Sequence, residues 1–443
     1  MSRFDVVVIG TGVSGQSAVA PLAEAGRRIA VVDARPYGGT CLLRGCDPKR
    51  VMLGPIQALE SMKALEGSGV VGRARIDWHD LMAFKERFTA GTSERIEGWL
   101  SSLGASTLHG VARFVSPTTI LVDDKALEAD HFVLATGAIP ADLGIPGKEL
   151  AVDSEAFLSL AELPERIAFI GGGYIAFEFA HIAATAGGRV TIVHRGSHAL
   201  KGFEPELADR LVDRYRDRGI RVLLDSPVTA IRRSGEGLVV EASEDVVCDL
   251  VVHAAGRTPD VAGLGLERAG VRYGRHGIAV GPSLASVSAP HIFAVGDSAD
   301  HGMPLTPVAT RQGDVAAANI LEPGSAVFDP AATATVVFSD PPMASAGLTE
   351  AAARKLGLDV DVRSFDMSDW YTSRRVGLTT AGAKVIIDRA SDTLVGAHLL
   401  GHAADETINA LLVAIHAGVH TRDLDHMLWS YPTAGWDIRY LIA

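Results

Sequence analysis

The segment VVVIGTGVSG, Val6–Gly15, is an apolar run that ends in three closely spaced glycines. Gly10, Gly12 and Gly15 follow the pattern G-x-G-x-x-G. Such glycines permit a tight turn and let a pyrophosphate approach a helix N-terminus. Asp33 ends the next apolar segment, where a carboxylate can bond a ribose hydroxyl. The stretch therefore predicts a βαβ unit that binds a dinucleotide, and the alternative is a glycine-rich turn without a ligand.

A second glycine pattern begins at Gly171, where G-x-G-x-x-A runs through Gly173 to Ala176. It follows an apolar segment as the first pattern does, which indicates an internal architectural repeat. The place of the acid is taken by basic residues: His194, Arg195 and Lys201. Because a 2′-phosphate is dianionic and needs cations, the pattern favours NADPH over NADH. The alternative is that Arg195 and Lys201 are solvated loop charges.

A pair of cysteines lies just after the first unit, in the stretch GGTCLLRGCDP, Gly38–Pro48. Cys41 and Cys46 beside a bound cofactor predict a redox disulfide that takes electrons from that cofactor. Two alternatives are half of a metal site and two structural thiols. A metal site lacks a second cysteine pair, because the third cysteine, Cys248, lies in an apolar strand and is expected in the core. No metal is therefore predicted.

Length and composition narrow the class of protein. With 443 residues, of which 47% are hydrophobic, the chain predicts two to four domains with large buried sheets. The net charge of −12, without a basic run, argues against nucleic acid. No apolar run reaches the ~18 residues of a membrane span. Three cysteines are too few for a disulfide framework, so a reducing cytoplasm is the expected location.

Periodicity along the chain predicts the main elements. The first glycine pattern leads into a helix over about Gln16–Ala25, and residues 52–104 are expected to be mostly helical. Residues 335–443 differ, with strands, a helix over about Asp405–Ala417 and a tail rich in aromatic residues. The chain is thus expected to be an α/β protein with a distinct C-terminal part.

The sequence resembles the class I pyridine nucleotide–disulfide oxidoreductases, which include glutathione reductase, dihydrolipoamide dehydrogenase and mercuric reductase. The motifs that carry the resemblance follow one another along the whole chain: Gly39–Pro48, Ala135–Gly137, Gly173–Glu178, Gly256–Pro259, Ala294–Asp297, Leu305–Ala309 and Thr335–Phe338. The resemblance implies two Rossmann-like dinucleotide-binding domains and a C-terminal α+β dimerisation domain. The expected divisions are a split FAD domain (1–148 and 259–325), an NAD(P)H domain (149–258) and an interface domain (326–443).

The resemblance also implies the two cofactors, with FAD at the first site and NADPH at the second. Asp297 is expected to bond the ribityl chain of the flavin, and Ala112 to lie near the adenine. Tyr174 resembles the gate that moves when the nicotinamide enters. Further cofactor contacts are expected from residues of the shared motifs: Gly39, Thr40, Thr136, Gly137, Thr306, Ile175 and Gly256.

The implied mechanism passes electrons from NADPH through FAD to the cysteine pair. Cys46 resembles the sulfur that lies against the flavin, and Cys41 resembles the interchange thiol that attacks the substrate. Glu178 resembles the acidic partner of a cation beside flavin N5. That cation is usually lysine, and here Arg50 is assigned to the position, which keeps the charge but changes the geometry. The alternatives are that Tyr174 only packs and that Arg50 and Glu178 are structural.

The C-terminus departs from the family pattern His-Pro-Thr-x-x-Glu. Tyr431 stands in place of the histidine and Trp436 in place of the glutamate. A tyrosine can donate a proton but is a poor base at neutral pH. Asp437 and His426 are possible substitutes. The resemblance further implies a homodimer in which the tail around Tyr431 completes the active site of the other subunit.

These departures leave the substrate open. Ala20 and Asp314 occupy positions where glutathione reductases place arginines, so glutathione itself is doubtful. A polar-aromatic segment is a candidate for the substrate entrance or for a dimer surface: Trp370, Tyr371, Arg374 and Arg375. Three functions are weighed: reduction of a disulfide or other thiol-accessible substrate through Cys41, reduction of a quinone or metal ion, and a flavin-linked redox sensor.

Overall fold

The computed structural model describes residues 2–235, 237–330 and 333–443. Its strands, in chain order, are β1 Ser2–Ile9, β2 Ile29–Asp33, β3 Ser106–His109, β4 Ala112–Ser116, β5 Thr119–Val122, β6 Lys125–Leu134, β7 Ala138–Pro140, β8 Arg166–Ile170, β9 Arg189–Val193, β10 Arg221–Leu223, β11 Ala230–Ser234, β12 Gly237–Glu241, β13 Val246–Cys248, β14 Leu250–His253, β15 Arg257–Pro259, β16 Tyr273–Gly274, β17 Gly277–Ile278, β18 Ile292–Ala294, β19 Ala334–Val337, β20 Met343–Gly347, β21 Val360–Asp366, β22 Gly382–Asp388 and β23 Thr393–Leu400.

The helices, in the same order, are α1 Val13–Glu24, α2 Gly39–Arg44, α3 Cys46–Ala64, α4 Trp78–Thr89, α5 Thr92–Ser102, α6 Ser154–Phe157, α7 Tyr174–Thr185, α8 Pro205–Asp217, α9 Thr306–Leu321, α10 Glu350–Lys355, α11 Tyr371–Arg374, α12 Ala404–Ala417, α13 Thr421–Asp425 and α14 Ile438–Ile442. Short 3₁₀ turns cover Lys148–Leu150, Leu266–Ala269, Gly296–Ser298 and Ala434–Asp437. None of the described helices combines the length and apolarity that crossing a membrane requires.

The first compact unit comprises residues 1–49, 85–141 and 257–330. Its sheet has the order β3-β2-β1-β6-β5-β4, and β18 also pairs with β6. β1, β2, β3, β6 and β18 run parallel, which suits the fully buried run at Val6–Ile9. α1 packs on α9 so closely that a Cβ on Gly313 would lie 2.3 Å from the Ser14 carbonyl oxygen. This packing fixes the first residues of both helices, which contribute to the site.

The second unit comprises residues 50–84, 142–256 and 331–443. It contains a parallel sheet in the order β10-β9-β8-β14, with α7 following β8. It also contains an antiparallel sheet in the order β19-β20-β23-β22-β21, on which α12 packs. The two βαβ units and the C-terminal α+β part confirm the predicted fold class.

The boundaries of elements and units differ from the expected ones in detail. α12 begins one residue before the predicted Asp405, whereas α1 begins at Val13, ahead of the predicted Gln16. Residues 50–84 group with the second unit because Met52 and Leu81 lie in its core. The division into three domains, with residues 1–148 in one of them, stays a prediction.

Candidate active site

The two thiols of the first unit lie in two consecutive helices. Cys41 lies within the short helix α2, and Cys46 is the first residue of α3. Thr306, the first residue of α9, places its Oγ1 at 3.2 Å from the Cys41 Sγ and 3.9 Å from the Cys46 Sγ. One hydroxyl therefore contacts both sulfurs, and the predicted redox pair is brought together.

The first glycine turn is tied directly to the thiol segment. The Thr11 hydroxyl donates to the Asp33 carboxylate at 2.6 Å and accepts from the Gly38 amide at 3.1 Å. Gly39 has a φ of +71°, and a Cβ there would lie 2.4 Å from the Cα of Gly12. Only a glycine lets the two segments approach so closely, which explains the glycine at position 39.

The protonation of Cys41 is set by its neighbours. The hydrogen bond with Cys46 and burial raise the pKa of the Cys41 thiol, whereas the Thr306 hydroxyl lowers it. The Asp47 carboxylate also contacts Cys41, with its Oδ1 at 3.8 Å from the Cys41 Sγ. The negative charge of Asp47 raises the pKa of the Cys41 thiol further. Sequence reasoning missed Asp47, although a carboxylate next to a redox cysteine was a visible signal.

Thr306→Val tests the contribution of this hydroxyl. In a Cys46→Ser background, which leaves Cys41 as the reporter, we expect dithiothreitol-reduced protein to react about 10-fold more slowly with iodoacetamide, since a hydrogen bond to a charged group is worth ~1.5–3 kcal/mol. The physical reason is that loss of the bond raises the pKa of Cys41 and lowers its thiolate fraction. Thr306→Ser keeps the hydroxyl and is the control; an unchanged rate in Thr306→Val would show that the contact has no effect.

The first fingerprint fits a dinucleotide. A Cβ on Gly10 would lie 2.2 Å from the Ala135 carbonyl oxygen, and one on Gly15 would lie 2.2 Å from the Gly10 carbonyl oxygen. These two glycines are therefore required by the backbone. A Cβ on Gly12 meets only the Gly39 Cα, at 4.0 Å, so Gly12 leaves open space at the N-terminus of α1. That cradle suits the FAD pyrophosphate.

The other residues predicted to contact FAD lie in the same unit. Thr136 donates its hydroxyl to the Asp260 carbonyl oxygen at 2.6 Å, and the adjacent Gly137 has open space around it. Ala112 is buried at the start of β4. Asp297 lies in a 3₁₀ turn, and burial raises the pKa of its carboxyl group. Contacts of these residues, and of Thr40, with FAD stay predictions.

In the second fingerprint, as in the first, the first glycine is required by a close backbone contact and the second leaves open space. A Cβ on Gly171 would lie 2.1 Å from the Ala254 carbonyl oxygen, whereas nothing lies within 4 Å of one on Gly173. Gly256 also has open space around it, and Ala176 is buried in α7. This arrangement leaves room for a pyrophosphate at the N-terminus of α7.

The first residues of α7 carry the predicted nicotinamide gate. The Tyr174 hydroxyl lies 2.7 Å from the Thr335 Oγ1, and its ring packs edge-on to Phe203, with the centroids 5.8 Å apart. Ile175 follows it and is half-buried. Tyr174 is therefore held by a hydrogen bond and a ring contact, and its role as a gate stays a prediction.

The predicted cation cluster divides into two kinds of residue. The His194 ring packs over Gly172, where a Cβ would lie 2.6 Å from its Cγ, and burial lowers the pKa of His194. Its Nε2 lies 3.1 Å from the His198 carbonyl oxygen. Partial burial of the ring thus disfavours the charged form of His194. Arg195 and Lys201 are exposed and supply the charge.

Arg50 and Glu178 both contact Phe338. The ion-pair partner of Arg50 is Asp405, at 3.4 Å, and the guanidinium lies 4.2 Å from the centroid of the Phe338 ring. The buried Glu178 accepts a hydrogen bond from the Phe338 amide at 3.2 Å. Phe338 therefore contacts both side chains, and the ion pair that the structure describes for Arg50 is with Asp405 rather than with Glu178.

The aromatic tail surrounds a cavity of about 450 Å³ in the second unit. Its aromatic lining is Phe365, Trp370, Tyr371, Tyr431, Trp436 and Tyr440. Tyr431 is 71% exposed and packs edge-on to Trp436, with the ring centroids 5.1 Å apart. Asp437 is buried and accepts a hydrogen bond from Thr372, so it has a structural partner. His426 is exposed at the end of α13.

Two further predictions concern cysteine and metals. Cys248 is 1% exposed in β13, and burial raises the pKa of its thiol to about 11, as expected for a core residue. In the part of the chain that the structure describes, no cluster of three or more histidine, cysteine or acidic side chains has the arrangement of a metal site. Cys41 and Cys46 are thus the reactive thiol candidates.

Comparison with known proteins gives the family. Residues 4–313 match pyridine nucleotide-disulphide oxidoreductases, and residues 333–439 match the dimerisation domain of the same family. The chain is 32% identical to a glutathione reductase of Nostoc sp. (97% of each chain) and 31% identical to a dihydrolipoyl dehydrogenase of Thermus scotoductus (98% of this chain, 95% of that one).

Comparison with solved structures supports the same family. The Cu(II) complex of RclA, an HOCl-induced flavoprotein disulfide reductase of Escherichia coli, superposes with a TM-score of 0.90 at 25% identity and covers 100% of this chain and 99% of that one. The predicted resemblance is confirmed, and members of this family use FAD and NAD(P)H. The chain therefore belongs to the pyridine nucleotide–disulphide oxidoreductase family and is a flavoprotein disulfide oxidoreductase.

Proposed function

We propose that this protein uses NADPH to reduce a small disulfide substrate through Cys41. The observation that carries the proposal is the contact of Cys41 and Cys46 with one hydroxyl, that of Thr306, beside the first glycine turn. FAD, when bound, relays the two electrons of the nicotinamide to this sulfur pair. The remaining steps depend on residues of the chain itself.

Cys46 is suited to remain a thiolate. It begins α3, a helix of 19 residues, and the partial positive charge at a helix N-terminus favours an anion there. Cys41 is half-buried within the short helix α2, and its hydrogen bond with Cys46 raises the pKa of its thiol. The resemblance of Cys41 to the family's interchange thiol supports its role in attack on the substrate, and the position of Cys46 at the start of α3 supports its role in closing the internal disulfide.

The exchange follows from these roles. Cys41 attacks one sulfur of the substrate disulfide, forms a mixed disulfide and releases the first product as a thiolate, which takes a proton. Cys46 then attacks the Cys41 sulfur, so the Cys41–Cys46 disulfide forms and the second product leaves and takes a proton from solvent. Each cycle therefore uses one NADPH and yields two product thiols.

The preference for NADPH rests on Arg195 and Lys201. We expect Arg195→Ala to raise the KM for NADPH about 10-fold and to leave the KM for NADH unchanged, because a hydrogen bond to a charged group is worth ~1.5–3 kcal/mol and Arg195 is exposed to screening solvent. The measurement is steady-state kinetics with both nucleotides. Arg233→Ala, another exposed arginine of the same unit, is the control, and equal changes for both nucleotides would contradict the assignment.

The dimerisation domain supports a homodimer, and we propose that the active site is shared between its subunits. Tyr431 is the residue that would reach the second subunit, since it is largely exposed and lines an aromatic cavity. A cytoplasmic location, inferred from the low cysteine content, is part of the same proposal. Glutathione disulfide is a weak candidate substrate because Asp314 places a carboxyl group where a carboxylate binder is expected.

The proposed function is tested by counting products. The purified protein is supplied with NADPH and, separately, with oxidised lipoamide, 2-hydroxyethyl disulfide, glutathione disulfide and a benzoquinone. We expect two thiols for each NADPH consumed with at least one disulfide. NADPH oxidation with the quinone and no thiol from any disulfide would contradict the proposal and favour the quinone reductase alternative.

A further inference from the structure

The chain lacks the histidine–glutamate pair of its family but places a carboxylate beside the interchange thiol. We propose that Asp47 is the acid–base group of the disulfide exchange, which takes the proton of Cys41 and gives it to the departing thiolate of the substrate. This inference rests on the proposed function and adds a catalytic residue to it.

The position of Asp47 meets the geometric requirement. It is the second residue of α3, directly after Cys46, and its Oδ1 lies 3.8 Å from the Cys41 Sγ. Its side chain is exposed at the surface, so an incoming disulfide can reach both the carboxylate and the sulfur. A candidate base has to lie within reach of the proton that it removes, and free enzymes often show longer distances than the reacting complex.

The surroundings of Asp47 favour a carboxyl group that exchanges protons. Although the side chain is accessible, the protein around its carboxyl group removes part of its hydration, which raises the pKa of Asp47 above its ordinary value, whereas the contact with Cys41 opposes the shift. In the described residues, Cys41 of α2 is the titratable neighbour that shifts the pKa of Asp47. The pKa of Cys41 is shifted in turn by Cys46 of α3 and by the uncharged Thr306 hydroxyl of α9. An upward shift brings the pKa of a carboxyl group closer to neutral pH, where a group that both accepts and donates a proton works best.

The proton balance of the exchange is complete with this residue. As the Cys41 sulfur bonds to one substrate sulfur, its proton passes to the Asp47 carboxylate, and the S–S bond of the substrate breaks. The departing sulfur carries the electron pair and takes the proton from the Asp47 carboxyl group. Asp47 is thereby an anion again before Cys46 attacks Cys41.

The alternative proton donors are less suited. Tyr431 carries a phenol group, which is a weak general base. Asp437 is buried and already accepts a hydrogen bond from Thr372. Asp47 is the carboxyl group that contacts the interchange sulfur itself.

The test compares two disulfides whose leaving thiols differ in acidity, with Asp47→Asn as the variant. 2-Hydroxyethyl disulfide releases a weakly acidic thiol that needs a proton, and we expect its kcat/KM to fall by ~10²-fold, within the range for a general acid–base group. 5,5′-Dithiobis(2-nitrobenzoate) releases a strongly acidic thiol that leaves as an anion, so we expect a loss below about 10-fold. Asp47→Glu keeps the carboxyl group and is expected to recover part of the first activity.

Two controls keep the result interpretable. Asp130→Asn removes an exposed carboxylate that pairs with Arg3 and is expected to behave as wild type. Flavin content and the rate of flavin reduction by NADPH are measured in each variant, and both are expected to be unchanged in Asp47→Asn. An equal loss with both disulfides, or no loss, would overturn the role of Asp47. Failure of the wild-type protein to reduce either disulfide would instead overturn the proposed function, and the inference with it.

Discussion

Replacing Cys41 with serine is expected to abolish disulfide reduction, with a loss of ~10⁴-fold or more in kcat, as for other essential nucleophiles. Serine is close in size to cysteine, but its hydroxyl group is not ionised near neutral pH and does not form a mixed disulfide. Flavin reduction by NADPH does not require Cys41 and should persist. Product thiols and flavin absorbance are measured in the same samples.

The control for this prediction is Cys248→Ala, which removes the thiol that lies 1% exposed in β13. We expect it to retain disulfide reduction. Retention of that activity in Cys41→Ser would refute the assignment of the interchange thiol. Loss of disulfide reduction together with full quinone reduction would show that quinones take electrons before they reach the sulfurs.

Gly173→Val is expected to lower kcat/KM for NADPH by ~10²-fold or more, which corresponds to about 2.7 kcal/mol. Nothing lies within 4 Å of a Cβ at this glycine, and its φ of −104° is open to any residue, so the protein is expected to fold normally. The added side chain then occupies the space at the N-terminus of α7 that a pyrophosphate needs. Steady-state kinetics with NADPH and the FAD content of the purified variant are the measurements.

A comparison with Gly171→Ala separates ligand exclusion from misfolding. That Cβ would lie 2.1 Å from the Ala254 carbonyl oxygen, so we expect this variant to lose thermal stability, whereas Gly173→Val should melt like the wild type. Chemical reduction of the flavin by dithionite should be normal in Gly173→Val. An unchanged KM for NADPH in Gly173→Val would refute the second site.

The fold could be predicted from the sequence because its decisive signals are local. Both glycine patterns follow apolar strands and precede helices, and α12 begins within one residue of its predicted start. α1 begins at Val13, so the third glycine of the pattern, Gly15, lies inside the helix. A glycine is needed there because the Gly10 carbonyl oxygen approaches it closely. A pattern of glycines alone does not show which of them turn the chain and which permit close packing.

The contacts of the site could be predicted only in part, because they join distant segments. Thr306 was expected to bind cofactor, and its contact with Cys41 depends on how α9 packs against α1. Arg50 pairs with Asp405, a residue of the C-terminal part that no motif relates to it. His194 was grouped with two cations, but its half-buried ring packs over Gly172, and partial burial lowers its pKa.

Thiol trapping shows whether NADPH delivers its electrons to Cys41 and Cys46. Air-oxidised protein is treated anaerobically with NADPH, quenched with N-ethylmaleimide and analysed by site-resolved mass spectrometry. We expect both cysteines to become labelled after NADPH and to stay unlabelled without it. Reduction of the flavin with no new label on either cysteine would show that the sulfur pair lies outside the electron path.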